Sequence, residues 1–450
     1  MTPAALEKRQ RRDALAIFKA SLEAALPARG IERLLRVDEG NLHAGPYRYD
    51  LSRYQNIQVI GAGKASATMA HALEKLLGRR ISGGLINTKY EHLAKLRRVE
   101  LNEAGHPVPD DAGIEGTRRI AQIARDAGPD DLLIALISGG ASALLPLPAE
   151  PVTLAEKQAT TKLLLACGAT IHEINAVRKH ISAIKGGQLA RLAAPATLLA
   201  LLLSDVIGDP LDTIGSGPAA PDDSTFQHAW DVFEKYGIIA QLPDSVRHRI
   251  DAGRRGEIPD TPKTGDPCFR KTRNLIVGSN RLAVDAAAAK ARELGYRPVV
   301  LSTLIEGETR EIAAMHCAIA RESLHSGRPV KPPVCFISGG ETTVTLKGDG
   351  KGGRNMEFAL AAALALDGIP GILAFSAGTD GTDGPTDAAG AFATGSTAAR
   401  ARTAGLNPQQ ILARNDSYPF FQKLDNLVIT GPTGTNVMDV RLLLAGAPRP

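Results

Sequence analysis

The stretch Val59-Ile-Gly-Ala-Gly-Lys-Ala-Ser66 joins the end of an apolar run, a glycine turn and the start of a helical sequence. The run itself begins at Ile57, and residues 63–77 have the composition of a helix. Apolar runs of the same kind recur at 132–137 and 197–203, with helical sequence between them. Continuous apolar strands that alternate with helices are typical of a parallel sheet covered on both faces. The pattern therefore predicts an α/β fold.

The same alternation resumes after a proline-rich stretch at 241–270 and continues to a last apolar strand near Val440–Leu444. We therefore expect two doubly wound α/β domains with mostly parallel sheets and an interdomain cleft that holds the substrate. The predicted limits are 1–240 for a large Rossmann-like N-terminal domain, 241–270 for a linker and 271–450 for a C-terminal domain.

Composition narrows the classes of function. The 450 residues carry a net charge of +5, only 4% of them are aromatic, and the basic residues form no long block. This mild positive excess suits a small anionic substrate and is weak evidence for nucleic acid. The charged segment Glu7–Arg12 lacks an apolar signal core, and the apolar run Leu198–Leu203 is too short to span a bilayer. We expect a soluble cytoplasmic protein without nucleic-acid or membrane partners; the oligomeric state stays open and includes a homodimer.

Lys64 stands where the first predicted helix begins. The surrounding turn is not a Walker loop, because Gln58 stands where that motif requires glycine. It is also not a complete dinucleotide fingerprint, because Ser66 stands where the third Gly or Ala belongs. A cation at a helix N-terminus opposes the macrodipole, so helix stability does not explain Lys64. Free amides at a helix start with a lysine above them bind anions well. The alternative is an ordinary solvated residue of the first turn.

Other features of the first predicted domain suit an anionic substrate. A loop after the strand at 132–137 offers amides and hydroxyls, although such a loop is equally an ordinary tight turn. The residues of this loop are Ser138, Gly139, Gly140, Ala141 and Ser142. Arg178 has a fork that suits a carboxylate, whereas its neighbours Lys179 and His180 are better interpreted as solvated. Asp205 directly follows a buried strand, where a carboxylate can accept a hydroxyl proton or hold a metal.

The loop Phe375–Asp387 is the most acidic feature of the second predicted domain. It carries Asp380, Asp383 and Asp387 between glycines and contains no lysine or arginine. Clustered carboxylates repel one another unless a cation lies between them, which favours a metal site over a solvated turn. Arg354 begins a helix nearby in the sequence, again against the macrodipole, and is a candidate for neutralising a transferring phosphoryl group.

Two further strand-end loops of the second predicted domain are candidates for binding a nucleotide. For the first loop, capping of the following helix by Ser279 or Asn280 is expected in any case. The second loop repeats the Ser-Gly-Gly sequence of the first domain directly after an apolar strand. The residues are Gly278, Ser279 and Asn280 in one loop, and Ser338, Gly339, Gly340 and Glu341 in the other.

These motifs, in this order, resemble one family, the class II glycerate kinases with a C-terminal MOFRL domain. The motifs are Gly61–Ala65, Ser138–Ser142, Asn175–Lys179, Ser204–Asp209, Gly215–Pro218, Ser338–Thr342, Gly353–Asn355 and Gly378–Gly384. The resemblance implies ATP-dependent phosphorylation of D-glycerate at its 2-hydroxyl, giving 2-phosphoglycerate, with a divalent cation. The family lysine and arginine correspond to Lys64 and Arg354, while Met356 stands where the family usually has Gln.

With this resemblance we predict how the residues divide the reaction. ATP lies mainly against the two candidate nucleotide loops, and Mg²⁺ bridges its phosphates near Asp380 and Asp383. The carboxylate of glycerate lies on the Ser138–Ser142 loop with help from Arg178, and Asp205 orients or deprotonates the attacking hydroxyl. Lys64 and Arg354 stabilise the transferring phosphoryl group.

Two alternatives stay open. An NAD(P)H-dependent hydroxypyruvate reductase is favoured by the near-match to a dinucleotide fingerprint at 61–66, but the acid expected about 20 residues later is absent from Ser82–Asn87. A non-catalytic sugar-acid-binding protein is the second alternative. The concentration of Asp, Lys and Arg on the strand-end loops argues against it.

Overall fold

The computed structural model of the chain describes residues 2–447 and divides into two compact units. The N-terminal unit is Pro27–Val277, and the C-terminal unit joins Met1–Leu26 to Gly278–Pro450. This division differs from the expected one, because the first helix belongs with the C-terminal half and the stretch 241–270 lies inside the N-terminal unit. No helix in the described part of the chain is both long and apolar enough to cross a bilayer.

The helices are α1 (Pro3–Ala25), α2 (Pro27–Leu34), α3 (Ser66–Leu77), α4 (Asp111–Asp126), α5 (Ala141–Leu144), α6 (Leu154–Ala166), α7 (Ile171–His180), α8 (Gln188–Ala193), α9 (Phe226–Lys235), α10 (Asp244–Arg254), α11 (Asn280–Glu293), α12 (Thr309–Ser326), α13 (Arg354–Ala365), α14 (Thr397–Thr403), α15 (Pro408–Ala413) and α16 (Ser417–Lys423). The strands are β1 (Leu35–Asp38), β2 (Asn41–Ala44), β3 (Tyr47–Asp50), β4 (Asn56–Ala62), β5 (Gly83–Lys89), β6 (Glu100–Ala104), β7 (Asp131–Ile137), β8 (Thr197–Leu203), β9 (Thr272–Gly278), β10 (Arg297–Ile305), β11 (Val334–Gly340), β12 (Ile372–Gly378), β13 (Gly390–Thr394), β14 (Leu427–Val428) and β15 (Asp439–Ala445).

A sheet with the strand order β6-β5-β4-β7-β8-β9 forms the centre of the N-terminal unit. β4 pairs in parallel with both β5 and β7, and β7 pairs in parallel with β8. Every residue of β7 and β8 is buried, as expected for a parallel sheet covered on both faces. The order of the strands reverses between β4 and β7. In doubly wound sheets this is the point where ligands bind, at the carboxyl ends of the strands.

Glycine is required where β4 passes β7. A Cβ atom on Gly61 would lie 2.1 Å from the carbonyl oxygen of Leu136, and the φ of Gly61 is +152°. We expect Gly61→Ala to destabilise the N-terminal unit by about 3 kcal/mol, because the clash is with backbone that cannot move away. Gly237→Ala, at φ +63° with open space around it, should cost only about 1 kcal/mol. Thermal unfolding of the two variants checks this, and equal melting temperatures would contradict the close approach.

A second apolar core of the N-terminal unit lies among α6, α7, α9 and α10. Phe226 and Phe233 from α9 pack there with Val246 and Ile250 from α10. Val246 and Ile250 are fully buried although they fall in the stretch 241–270, for which the prolines predicted a linker. The periodic apolar residues of α10 therefore attach this stretch to the N-terminal unit.

The sheet of the C-terminal unit has the order β10-β11-β15-β12-β13-β14. β10 and β11 are parallel, whereas β15 lies between β11 and β12 and is antiparallel to both. β13 is antiparallel to β12 and to β14. The α/β prediction is confirmed for the protein, but the expectation of a mostly parallel sheet does not hold for this unit. Residues 379–389 join β12 to β13 without the crossover helix that parallel neighbours need.

Helix α1 packs against the C-terminal sheet. The Nε2 group of Gln10 lies within hydrogen-bond distance of the carbonyl oxygens of Gly371, Leu444 and Gly446, at 3.1 to 3.2 Å. The ring of Phe18 lies 5.2 Å from that of Phe375, centroid to centroid. These contacts explain why the first helix belongs to the C-terminal unit.

Candidate functional site

The carboxyl edge of the N-terminal sheet brings together groups from several strand ends. Lys64 follows β4, His106 follows β6 and Asp205 follows β8. A Cβ atom on Gly140 would lie 2.9 Å from the His106 ring and 3.4 Å from Cγ of Lys64. A Cβ atom on Gly139 would lie 2.4 Å from Oδ2 of Asp205. The glycine turn after β7 therefore lets a lysine, a histidine and a carboxylate converge at the switch point of the sheet.

The charges in this group influence one another. Burial raises the pKa of Asp205, and the nearby Lys64 lowers it. Burial lowers the pKa of His106, and Lys64 and Lys89 act in the same direction. A carboxylate with a raised pKa is a better proton acceptor near neutral pH, while His106 stays neutral there. The side chain of Lys64 makes no ion pair or hydrogen bond with the described residues of its unit, so its charge is available to a ligand.

The sequence-based search missed His106. Its signal is the Gly105-His106-Pro107 stretch directly after β6. A polar residue after a strand is the same rule that identified Asp205. β6 is short and only partly buried, so its apolar pattern was too weak to mark a strand end there.

The amides at the start of α3 are used inside the protein. The backbone N–H of Lys64 donates to the carbonyl of Gly139 at 2.9 Å, and that of Ala65 donates to Oγ of Ser138 at 3.1 Å. The prediction of free amides at this turn is therefore wrong, because the loop after β7 lies against it. The group that α3 offers to a ligand is the side chain of Lys64.

Ser138 and Ala141 support the predicted substrate loop from inside the protein. Ser138 is buried, and its hydroxyl lies 2.9 Å from Oγ of Ser66 in addition to its bond from Ala65. Ala141 is fully buried at the start of α5. These two residues hold the glycine turn in place and do not present polar groups to a ligand.

Ser142 is the polar end of the same loop. Its Oγ lies 3.0 Å from Oγ of Ser216, which in turn donates to Oδ1 of Asn175 at 3.3 Å. Arg178 lies one turn after Asn175 on α7 and is half-buried. Burial lowers the pKa of Arg178, and its guanidinium pairs with no carboxylate among the described residues. Arg178 and Ser142 therefore remain candidates for binding an anionic substrate.

Lys179 and His180 are not solvated, contrary to the sequence-based interpretation. Lys179 is 3% exposed and pairs with Asp212 at 3.0 Å and Asp222 at 3.1 Å. The Nε2 atom of His180 lies 2.8 Å from Oδ1 of Asp260. Both side chains attach α7 to the segments that follow it, and both are structural.

Arg354 lies at the carboxyl edge of the C-terminal sheet, held by two carboxylates. Its Nε and Nη2 donate to the two oxygens of Asp439 at 2.7 and 3.0 Å, and its Nη1 lies 2.7 Å from Oε1 of Glu341. Asp439 is fully buried and also accepts from Nδ2 of Asn355 and Nη2 of Arg441, each at 2.9 Å. The sequence-based search missed Asp439, which begins β15 and joins this edge only because β15 runs antiparallel to its neighbours.

Asp383 caps a helix, although the acidic loop predicted a metal ligand. It is 2% exposed, and its two oxygens accept from the backbone N–H groups of Asn355 and Met356 at 3.1 and 2.8 Å. Burial raises the pKa of Asp383 to about 7, and these amide donors act in the opposite direction. The side chain of Met356 is fully buried in the apolar core, so it packs where the family usually has a polar residue.

The other carboxylates of the acidic loop point to different partners. Oδ1 of Asp380 accepts from the amide of Thr382 at 3.0 Å, and Oδ1 of Asp387 accepts from the hydroxyl of Tyr418 at 2.8 Å. Within residues 2–447, no three His, Cys, Asp or Glu side chains are placed to hold a metal ion together. One oxygen of Asp380 has no partner among these residues, whereas both oxygens of Asp383 accept from amides, so Asp383 is a poor fit for a metal ligand.

The first candidate nucleotide loop is mainly structural. Nδ2 of Asn280 donates to the carbonyls of Val437 and Asp439 at 2.8 and 2.9 Å, and the side chain is 2% exposed. Ser279 is the N-cap residue of α11, but its side chain makes no capping hydrogen bond. Gly278 ends β9. Asn280 therefore fixes the start of β15 and is not available to a nucleotide.

The second candidate nucleotide loop lies beside Arg354. Ser338 is fully buried, and its Oγ lies 2.8 Å from Nε2 of His316. Gly339 and Gly340 end β11, and the exposed Glu341 follows them to pair with the arginine. Ser338, Gly339 and Gly340 are all buried, so Glu341 is the residue of this loop that a ligand can meet.

The pair of Asp439 with two arginines gives a stability test. We expect Asp439→Asn to destabilise the C-terminal unit by about 3 to 5 kcal/mol, because Arg441 is fully buried and would lose its carboxylate. Asp367→Asn, which breaks an exposed pair with Arg402, should change stability by less than about 1 kcal/mol. Chemical unfolding of both variants measures the difference. An Asp439→Asn protein as stable as the wild type would show that the buried pair contributes nothing.

Two family models match different parts of the chain. Residues 13–251 match the model of a domain of unknown function (DUF4147), and residues 334–439 match that of the MOFRL family. The D-glycerate 2-kinase of Thermotoga maritima is 42% identical over 95% of this chain and 96% of its own length. A protein of Agrobacterium vitis, provisionally named a hydroxypyruvate reductase, is 46% identical over 86% of this chain and 99% of its own length.

A solved structure extends the similarity to three dimensions. The crystal structure of a glycerate kinase from Thermotoga maritima has a TM-score of 0.87 and 41% identity, covering 97% of this chain and 100% of that one. The similarity spans both units at an identity well above the level at which only the fold is shared. The chain therefore belongs to the glycerate 2-kinase family with a C-terminal MOFRL domain.

Proposed function

We propose that this protein transfers the terminal phosphoryl group of ATP to the 2-hydroxyl of D-glycerate, giving 2-phosphoglycerate and ADP. Membership of the glycerate 2-kinase family supports a nucleotide and a small-molecule acceptor as substrates. The observation that carries the proposal is the convergence of Lys64 and Asp205 on the glycine turn after β7. An unpaired cation next to a buried carboxylate suits a hydroxyl that must lose a proton while it attacks a phosphoryl group.

The N-terminal unit supplies the groups that act on glycerate. Asp205 accepts the proton of the 2-hydroxyl, helped by the pKa that burial raises. Lys64 stabilises the negative charge of the group in transfer. Arg178 and Ser142 orient the acceptor, so that only one hydroxyl faces Asp205.

The C-terminal unit supplies Arg354 and the nucleotide site beside it. The hydrogen bonds that Arg354 donates to Asp439 fix the guanidinium before any ligand binds, so little reorganisation is needed. Asp439 also pairs with Arg441, so the two arginines balance the charges of Glu341 and Asp439. Mg²⁺ bound at Asp380 would neutralise charge on the nucleotide phosphates. The adenine nucleotide lies beside Glu341, the exposed residue that follows β11.

The hydroxypyruvate reductase alternative has less support than the kinase. The provisional name of the Agrobacterium relative and the glycine turn before α3 favour it. A dinucleotide site, however, needs free amides at this turn for the pyrophosphate, and the amides of Lys64 and Ala65 are bonded to Gly139 and Ser138. The acid that would hold the ribose is also absent from Ser82–Asn87.

Two assays distinguish the candidate functions. The purified protein is incubated with D-glycerate, ATP and Mg²⁺ while ADP is followed, and separately with hydroxypyruvate and NAD(P)H while absorbance is followed. We expect ADP release that depends on D-glycerate and no loss of NAD(P)H. Loss of NAD(P)H without ADP release would support the reductase, and silence in both assays would favour a sugar-acid-binding protein.

A further inference from the structure

Three cations of the N-terminal unit form a cluster without an acidic partner. Lys157 on α6 and Lys185 after α7 are 8% and 1% exposed, and Arg178 on α7 is half-buried. The ammonium of Lys157 donates to the carbonyl of Pro146 at 3.0 Å, and that of Lys185 donates to the carbonyl of Ser142 at 2.8 Å. None of the three makes an ion pair with a residue in the described part of the chain. We call Lys157, Arg178 and Lys185 the cation cluster.

The charged groups on the segments packed around the cation cluster are already engaged. They are Lys179 with Asp212 and Asp222, His180 with Asp260, Glu156 in the cap of α6, Glu173 in the cap of α7 and with Lys235, and Arg249 with the carbonyls of Glu150 and His180. The carboxylates that the structure describes nearby are therefore engaged with other residues, either in ion pairs or in helix caps. The positive charge of the cation cluster is therefore not compensated by a carboxylate among the described residues.

Such a cluster is unfavourable for the folded protein by itself. Burial lowers the pKa of Lys157 to about 7 and that of Lys185 well below its ordinary value, and Arg178 acts in the same direction on both. Buried charges of one sign repel, and each has also lost its hydration. A stability role does not explain three such residues, whereas binding an anion from solution does.

The surroundings of the cluster connect it with the candidate substrate loop. Lys185 binds the carbonyl of Ser142, whose hydroxyl contacts Ser216, and Ser216 contacts Asn175. Asn175 and Arg178 share α7. An anion in contact with the cluster would thus also meet neutral hydroxyl and amide groups, which can hold hydroxyl groups of the same ligand.

We propose that Lys157, Arg178 and Lys185 form the subsite that binds the carboxylate of the acceptor substrate and selects a hydroxy acid over a neutral polyol. The inference rests on the proposed function and adds two lysines from outside the sequence motifs to it. A guanidinium fork and two ammonium groups match a planar carboxylate better than they match a single hydroxyl. Burial lowers the pKa of both lysines, and a bound carboxylate acts in the opposite direction, so binding of the carboxylate should take up protons.

The test uses Lys157→Met and Lys185→Met, with Lys162→Met as a control because Lys162 is exposed on the same helix as Lys157. Calorimetry measures the binding of D-glycerate, glycerol and inorganic phosphate to the full-length protein at pH 8 in two buffers of different ionisation enthalpy. We expect the wild type to bind D-glycerate with proton uptake and to show no binding of glycerol. Each cluster variant should bind D-glycerate about 10- to 100-fold more weakly, with less proton uptake, while the control is unchanged.

Melting temperature separates binding from structure. Each Met variant loses a buried charge together with one hydrogen bond to a backbone carbonyl, and these two losses act in opposite directions on stability. Each cluster variant should therefore melt close to the wild type, whereas a large fall in melting temperature would show that the lysine is structural. The affinity of the wild type for D-glycerate should also fall as pH rises through 7, since Lys157 then loses its proton before binding.

The outcomes distinguish this proposal from the proposed function. In one outcome the wild type releases ADP and both Met variants bind D-glycerate normally. That result would overturn the subsite and leave the kinase function intact. A wild type that binds D-glycerate through the cluster without releasing ADP would support the subsite and overturn the kinase. Binding of phosphate alone would overturn the carboxylate assignment, and no binding of either anion would overturn both proposals.

Discussion

Replacing Lys64 by Met should lower kcat for D-glycerate phosphorylation by on the order of 10³-fold, with a much smaller change in KM. The ammonium has no partner among the described residues of its unit, so its charge acts on whatever ligand lies at the switch point. A charge that develops in the transition state gains more from this ammonium than the ground state does. Steady-state rates of ADP release give both parameters.

Lys75→Met is the matched control, since Lys75 is exposed on α3, the helix that follows Lys64. Its kcat should stay within about twofold of the wild type. A folded Lys64→Met protein with near-normal turnover would remove Lys64 from the chemical step. Loss of activity together with a lowered melting temperature would instead identify Lys64 as structural.

Replacing Arg354 by Ala should also lower kcat by on the order of 10³-fold, and Arg354→Lys should recover only a part of it. Lysine keeps the charge but cannot make the two parallel bonds to Asp439 that orient the guanidinium. Steady-state kinetics with ATP as the varied substrate separates an effect on kcat from one on nucleotide affinity.

Arg402→Lys controls for the loss of a guanidinium that pairs with a carboxylate, because Arg402 and Asp367 form the same kind of pair on the surface. That variant should keep wild-type kinetics. If Arg354→Lys were as active as the wild type, the oriented fork would be unnecessary and Arg354 would act only as a point charge.

The sequence predicted the elements of the fold better than their pairing. The strand predicted at 197–203 has those bounds as β8, and the one predicted at 132–137 differs from β7 only by the first residue, Asp131. The direction of β15 was not predictable, because an apolar strand looks the same whichever way it runs. β13 was missed as well, since Gly390–Thr394 follows the acidic loop and contains alanine and glycine in place of β-branched residues. Long-range packing, and not local propensity, decided both points.

In the candidate site, too, local sequence predicted some residues, whereas roles set by long-range contacts were missed. Lys64 and Arg354 were found because a cation at a helix start opposes the macrodipole, and Asp205 because it directly follows a buried strand. Asp383 was assigned to a metal because its partners, the amides of α13, lie far from it in sequence. Lys157 carried no signal, because a lysine in an amphipathic helix is ordinarily solvated. Its burial became visible only in the tertiary structure.

The most direct test of phosphoryl transfer to the 2-hydroxyl is the proton-coupled ³¹P NMR spectrum of the product formed from D-glycerate and Mg²⁺-ATP. A phosphate on C2 couples to a single proton, so 2-phosphoglycerate should give a doublet together with the signals of ADP. A triplet from the two protons of C3 would show that the other hydroxyl is phosphorylated. A spectrum that contains only unchanged ATP would contradict the kinase assignment itself.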